Sequence, residues 1–399
     1  MAGPDRSDPE AVLPGAPDPW ASSEMPAWRD SPPYAMTEMI AAEPALAARV
    51  ARRMQADAGF AAAVAALHRG AVDGASITTT GCGTSQHAAI AVAALLTDGL
   101  EAAGLPADRV AAMQAFELAR RVPRGGVVVA VSHEGGTAAT NEAMRAAAAA
   151  GATTVLITVS DRSPAAELAD HVLATAEQDQ SWCHTVGYMS PLVVGACLDG
   201  ALRGIPVAPD ALQRQVAAGD DGATAERMAA AFGPIYRLLV VGSGVDYAAA
   251  RELALKVEEG ARLPAVAHEL ETIRHGHLAA ASEHTGLVVV LTDGEGRGAE
   301  LRDRASSVLR AAAALGMPAA VIAAGDGLRP ASGEGADVAL APAGWQSVAL
   351  EPSLPRMVAA TLASAVPLQL LTERLARARG TNPDTLGRED PRQAAAASA

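Results

Sequence analysis

GGVVVAVSHEGGTAATNEAMRAAAAA, residues 125–150, decides the fold. A short run of small branched residues, VVVAV, passes through a turn and straight into an alanine-rich helix. A strand with no polar alternation is buried on both faces, the habit of parallel sheets covered by helices. The turn itself suits an anion: Gly135 permits a tight bend, and Ser132 and Thr137 place hydroxyls at a helix N-terminus. Glu134 stands in its middle as a contrary charge.

The strand-to-helix pattern recurs on both sides of this stretch. ASITTTG enters a helix from about Ser85, and TTVLITVS precedes SPAAELAD. Further on, IYRLLVVGSG leads to a helix from about Asp246, and TGLVVVLTDG to one from about Glu300. PAAVIAAG then comes before a last long helix through PRMVAATLASAVPLQLLTERLARA. Strands alternating with helices imply an α/β fold, here two doubly wound parallel-sheet domains in tandem. The 399 residues suit two domains of roughly 150 residues each. GDDGATAERMAAAFGP reads as the connection, giving a first domain over 36–218, a second over 219–376 and a tail over 377–399. Residues 1–35, rich in Pro, Asp, Ser and Ala without periodicity, read as a disordered leader.

A net charge of -14 argues against nucleic-acid binding, which needs basic stripes to neutralise phosphates. Apolar runs stay below the roughly 18 residues of a membrane span, and the N-terminus lacks a basic and an apolar signal region. The expected location is therefore the cytoplasm and the expected partner a small molecule. Cys82, Cys183 and Cys197 are too few and too irregular for a disulfide framework.

Three loops of the first half place hydroxyls where strands end. TTTGCGTSQHAA holds Cys82, Gly83, Thr84 and Ser85; the opening stretch holds Ser132, His133 and Thr137; DQSWCHTVGYMSP holds Ser181 and Thr185. Ligands of open parallel sheets bind beyond such strand ends. The plainer alternative is that these hydroxyls only cap the following helices. Neither a Walker lysine nor a GxGxxG turn accompanies the glycines, which weakens a nucleotide reading. In the second half, Glu252, Lys256 and Glu259 fall at i, i+4 and i+7, along one helical face. That pattern is either a solvated salt-bridge stripe or, half-buried among ELAL and ARLPAVAHEL, a carboxylate tuned for proton transfer. His275 sits in a glycine-containing turn, where it can act as acid or base. His268, Glu271, His275 and His277 lie close together, but Thr272 stands where HExxH needs its second histidine, so no metal is expected.

Together these segments resemble the sugar isomerase (SIS) family, most closely its double-domain branch. That branch includes the isomerase half of glutamine:fructose-6-phosphate aminotransferase and related glucosamine-6-phosphate deaminases. Met36 to Pro44 is similar to the family's M-x-x-E-I-x-E-Q-P opening, Cys82 to Ser85 to its C-G-T-S loop, and Ser132 to Thr137 to its S-Q-S-G-E-T loop. Glu252, Lys256, Glu259 and His275 keep the intervals of its E-G-A-L-K-x-K-E helix and of the histidine sixteen residues beyond. The resemblance implies that Cys82 to Ser85, Ser132, His133, Glu134, Gly135 and Thr137 lie at a sugar phosphate and that Thr185 contacts the sugar. It implies that Glu259 moves a proton between adjacent carbons, that Lys256 lies near the sugar, and that His275 opens the ring from a second subunit of a homodimer. No cofactor is implied.

Departures from the pattern shape the expectation. With no amidotransferase domain before Met36, isomerisation or deamination of an amino- or keto-hexose, as its 6-phosphate, is expected rather than amination. The tail GTNPDTLGREDPRQAAAASA offers Arg388 and Arg392 where the family ends on a lysine. Arginine forms no Schiff base but clamps phosphate or carboxylate. Glu134 and His133 replace a serine and a glutamine, and a carboxylate there repels a phosphate, so either Glu134 points away from the ligand or the ligand is an unphosphorylated or cationic sugar. The alternatives are a fructosamine-type deglycase, with Arg388 or Arg392 on an amino-acid carboxylate, and a non-catalytic sugar-phosphate-binding regulator.

Overall fold

The computed structural model describes residues 11, 13, 29–324 and 343–398. Most of the expected leader lies outside the described residues. Two helices, α1 (Ala35–Ala56) and α2 (Ala58–Val72), precede β1 (Ile77–Gly81) and α3 (Thr84–Ala102). The first half continues with β2 (Val110–Gln114), α4 (Ala115–Arg120), β3 (Val127–Val131), α5 (Ala138–Ala149), β4 (Thr153–Thr158), β5 (His171–Ala174), α6 (Val186–Leu202) and α7 (Pro209–Ala217). The second half runs α8 (Gly222–Phe232), β6 (Arg237–Val241), α9 (Val245–Ala261), β7 (Ala265–His268), β8 (Thr285–Leu291), α10 (Gly298–Ala314) and β9 (Ala319–Ala324). It closes with β10 (Gly344–Val348), α11 (Arg356–Ala363), α12 (Ala365–Arg379) and α13 (Pro391–Ser398).

Each half forms a five-stranded parallel sheet, in the orders β2-β1-β3-β4-β5 and β10-β9-β8-β6-β7. Every residue of β1, β3, β8 and β9 is buried, as two-faced coverage by helices demands. One continuous apolar core runs through both halves, joining Leu96 of α3 and Leu192 of α6 to Leu253 of α9 and Leu371 of α12. Small residues allow the close approach of α3 and α6. A Cβ on Gly99 would stand 2.9 Å from the Asp199 Cα, and one on Gly195 2.9 Å from Leu95 Cδ1.

Three segments differ from the reading of the sequence. The presumed connection is largely helix α8, started by Asp221, whose carboxylate accepts from the Thr224 amide at 3.0 Å. SPAAELAD makes only a single 3-10 turn, Ala166–Leu168, because β5 begins at His171 and leaves no room for more. The last long helix breaks at Ser364: Pro367 has no N–H for the Ala363 carbonyl, so α12 starts afresh with the proline in its first turn.

One turn is built twice. Gly83 (φ 56°, ψ -130°) and Gly244 (φ 60°, ψ -130°) adopt the same left-handed conformation before α3 and α9. Two residues earlier, a Cβ on Gly81 would lie 2.6 Å from the Ser85 carbonyl carbon, and one on Gly242 2.3 Å from the Asp246 oxygen. In both turns the backbone comes too close for any residue but glycine.

Candidate active site

The two halves meet where α3 starts and α9 runs past it. Glu252 is fully buried and accepts from the Thr84 hydroxyl at 3.1 Å. Its other oxygen lies 2.8 Å from His87 Nδ1, one turn further along α3. Lys256 Nζ stands 3.7 Å from Glu252 and donates to Glu259, so the ammonium is clasped between two carboxylates. The helical row is therefore no solvated stripe. Lys256 and Glu252 side chains are 1% and 0% exposed, whereas Glu259 keeps 23% of its side chain open.

Burial pulls the Lys256 ammonium down, but Glu259 and Glu252 outweigh it and leave the group well above its ordinary range. It stays charged and is no nucleophile at neutral pH. Burial raises the Glu259 carboxyl, against the pull of Lys256.

The loop Asp179–Thr185 lies against this row, with Cys183 Sγ 3.7 Å from the Lys256 carbonyl oxygen. Asp179 shapes the loop by accepting from the amides of Thr185 and Gly187, each at 2.8 Å. Burial raises its carboxyl to about 7, with the Gly187 amide and then Lys256 opposing. His133 turns inward: its Nε2 accepts from the Asp179 amide at 2.9 Å, and burial lowers it to about 4, so it is a neutral brace. The His184 ring lies 5.3 Å from it.

The hydroxyls do not cap their helices. Thr137 and Thr185 occupy N-cap positions without a capping side-chain bond. The Thr185 and Ser132 hydroxyls are buried with no partner among the described residues. Orphan donors at strand ends favour a ligand site over helix capping. Cys82 is a partly buried packing residue, with Gln114 Nε2 3.5 Å and Thr140 Oγ1 3.8 Å from its sulfur. Gly135 serves close packing, since a Cβ there would meet Ser163 Oγ at 2.1 Å.

The tail reaches the site. Asp384 accepts from the Ala35 and Met36 amides at 2.8 and 3.0 Å, and the Thr381 hydroxyl donates to the Gly260 carbonyl at 2.7 Å. GTNPD thus pins the tail to α1 and to the end of α9. Beyond it, the Arg388 guanidinium lies 3.8 Å over the Trp182 ring, and its buried Nε lacks a partner among the described residues. Burial raises the Glu134 carboxyl and the Arg388 charge pulls it back. Arg392 is 90% exposed and pairs with Asp390. His275 is 71% exposed and bonds Glu271 at 3.0 Å, apart from the Glu252–Glu259 row. The His268 and His277 rings stack 3.9 Å apart, and no group of three or more metal-ligating side chains forms among the described residues.

His87, Asp179 and His184 escaped the reading of the sequence. His87 carried one signal: it lies three residues after Thr84 and shares its helical face.

The sequence profile of the SIS domain matches residues 73–196 and 233–323, more than half of the chain. The chain belongs to the SIS-domain family. The isomerizing glutamine–fructose-6-phosphate aminotransferase of Methanothermobacter thermautotrophicus is 27% identical over 308 residues, 76% of this chain and 49% of that protein. This SIS chain thus spans about half the length of the curated relatives it matches. The C-terminal domain of the Francisella tularensis glucosamine–fructose-6-phosphate aminotransferase superposes with a TM-score of 0.72 at 20% identity, over 90% of this chain and 99% of that one. Tagatose-6-phosphate ketose/aldose isomerase of Escherichia coli gives 0.69 at 17% identity, over 91% and 98%. These likenesses show two SIS folds in tandem. No helix among the described residues is long and apolar enough to cross a membrane.

Proposed function

We propose that this SIS protein interconverts the aldose and ketose forms of a hexose phosphate, with ammonia released when the sugar carries an amino group, and that Glu259 moves the proton. The observation that carries the reading is the clasped row on α9. Of its three charges only Glu259 is open to a ligand, and it is held beside a permanently charged ammonium. Glu259 as base takes the proton from one carbon and returns it to the next, while the positive charge of Lys256 buried behind it favours, through space, the enediolate that forms between the two steps. A carboxyl raised by burial is the stronger proton acceptor for this task.

Ser132, Ser85 and Thr137 supply donors for the phosphate, and Arg388 offsets Glu134 at the same loop. Thr185 faces the sugar. His275, exposed and remote from the row on its own chain, serves the site of a second copy, which makes the enzyme a homodimer. The curated relatives, named for an isomerizing reaction, support the same chemistry.

One observation favours a second reading. An acid and an unpartnered guanidinium N–H, Glu134 and Arg388, lie together at the tail, complementary to the ammonium and carboxylate of an amino acid. That arrangement suits a deglycase acting on a sugar phosphate joined to an amino acid. The test is ketose formation and ammonia release from glucose 6-phosphate and glucosamine 6-phosphate beside the unphosphorylated sugars, with Glu259→Gln as blank. Turnover of the phosphorylated members alone supports the isomerase reading. Silence on all four with cleavage of a fructosamine 6-phosphate overturns it in favour of the deglycase.

A further inference from the structure

Glu43 sits in the middle of α1, fully buried, and neither carboxylate oxygen has a donor among the described residues. Burial pushes its carboxyl well above the ordinary range; hydrogen bonding by Gln369 opposes this, and the charge of Asp179 adds to it. Asp179 in turn feels Lys256. Gln369, on α12, is equally buried. Its Nε2 donates to the Thr185 carbonyl at 3.2 Å, while its Oε1 has no donor among the described residues.

The orientation of this carboxamide follows from chemistry. The Thr185 carbonyl only accepts, so it faces one N–H of the NH2; the second N–H is turned to Glu43, and the amide oxygen still lacks a donor. An ionised Glu43 can accept that second N–H, but it sets a pure acceptor against the amide oxygen, which then goes unpaired, in a buried pocket near the negative charge of Asp179. A neutral carboxyl supplies the single missing donor. Thr185 is thereby held at both ends, its amide by Asp179 at 2.8 Å and its carbonyl by Gln369.

We propose that Glu43 is a positioning residue: in its neutral form it donates to Gln369 Oε1 and so, through Gln369, fixes Thr185 and the direction of its hydroxyl at the sugar site. The last step alone rests on the isomerase reading.

The test compares wild type with Glu43→Gln and Glu43→Ala. The folded state keeps a proton that the unfolded state releases, so wild-type stability is full at low pH and falls as pH rises. Glu43→Gln, neutral at every pH, lacks that slope. Its Tm should match wild type near pH 5 and exceed it increasingly towards pH 8. With fructose 6-phosphate, Glu43→Gln should keep KM within about twofold, while Glu43→Ala raises it about tenfold with a smaller change in kcat. A Tm difference between Glu43→Gln and wild type that does not vary with pH overturns the proposal. So does a wild-type Tm that climbs with added sodium, potassium or calcium and stops doing so in Glu43→Gln, which makes the pocket a cation site. A silent turnover assay with the Tm signature intact counts against the isomerase reading and leaves the Glu43 proton standing.

Discussion

Replacing Lys256 by methionine removes the cation between Glu252 and Glu259 and keeps most of the side-chain volume. At 3.7 Å and an effective dielectric near 20, the contact with Glu252 corresponds to about 4 kcal/mol of Coulomb energy. Removing one partner of a buried pair costs about 3–5 kcal/mol, because the surviving charge stays desolvated. Here two carboxylates survive on one helical face. The loss should therefore sit at the upper end of that range at pH 8, read as the midpoint shift in urea unfolding at constant slope. It should shrink towards pH 5. Burial raises the Glu259 carboxyl, and removing Lys256 takes away the charge that opposes the rise, so the stability it contributes is present at low pH and disappears as pH rises. The double variant Lys256→Met, Glu252→Gln should recover most of the loss, since the amide keeps partners in Thr84 and His87 and the remaining carboxylate is partly open to solvent. A Lys256→Met penalty below about 1 kcal/mol, the value for exposed pairs, or one equal at pH 5 and pH 8, would refute the clasp.

Glu259→Gln should lower kcat by about two to four orders of magnitude while sugar-phosphate binding by calorimetry persists. Glu134→Ser removes the contrary charge from the phosphate loop, so KM for the phosphorylated sugar should fall about tenfold, equivalent to about 1.4 kcal/mol, with the free sugar unchanged. If His275 serves a second copy, co-expressed His275→Asn and Glu259→Gln chains, each inactive alone, should regain about a quarter of wild-type activity, because a two-fold dimer places both intact groups in one site of the mixed species. No recovery in isolated mixed dimers would mean that His275 does not act across the pair.

The six inner strands were legible and the four edge strands were not. β3 and β8 are unbroken apolar runs, each residue buried, and such runs announce themselves. β2, β5, β7 and β10 form the outer edges of the two sheets and are mostly half-buried or exposed. VAAMQ, HVLA, AVAH and GWQSV carry too little pattern, because an edge needs to satisfy only one neighbour and one covered face. The site divides in a similar way. Glu252, Lys256 and Glu259 show themselves by helical spacing, a local property. His87 and Asp179 matter through partners brought up from remote segments, and no spacing along the chain encodes that. Glu43 looks like a polar residue on a surface helix until burial reveals its position.

The twin turns before α3 and α9 carry one more lesson. Where the first places Ser85, the second places Asp246, whose carboxylate accepts from the Thr292 amide at 2.9 Å and from the Thr292 hydroxyl at 2.5 Å. Over the same turn a Cβ on Gly244 would strike Glu295 Oε1 at 2.0 Å. The molecule thus carries the same turn a second time, filled by its own carboxylates on an unchanged backbone. In the proposed reaction the first turn holds the phosphate, and the half with the filled copy lends α9 to the proton transfer instead.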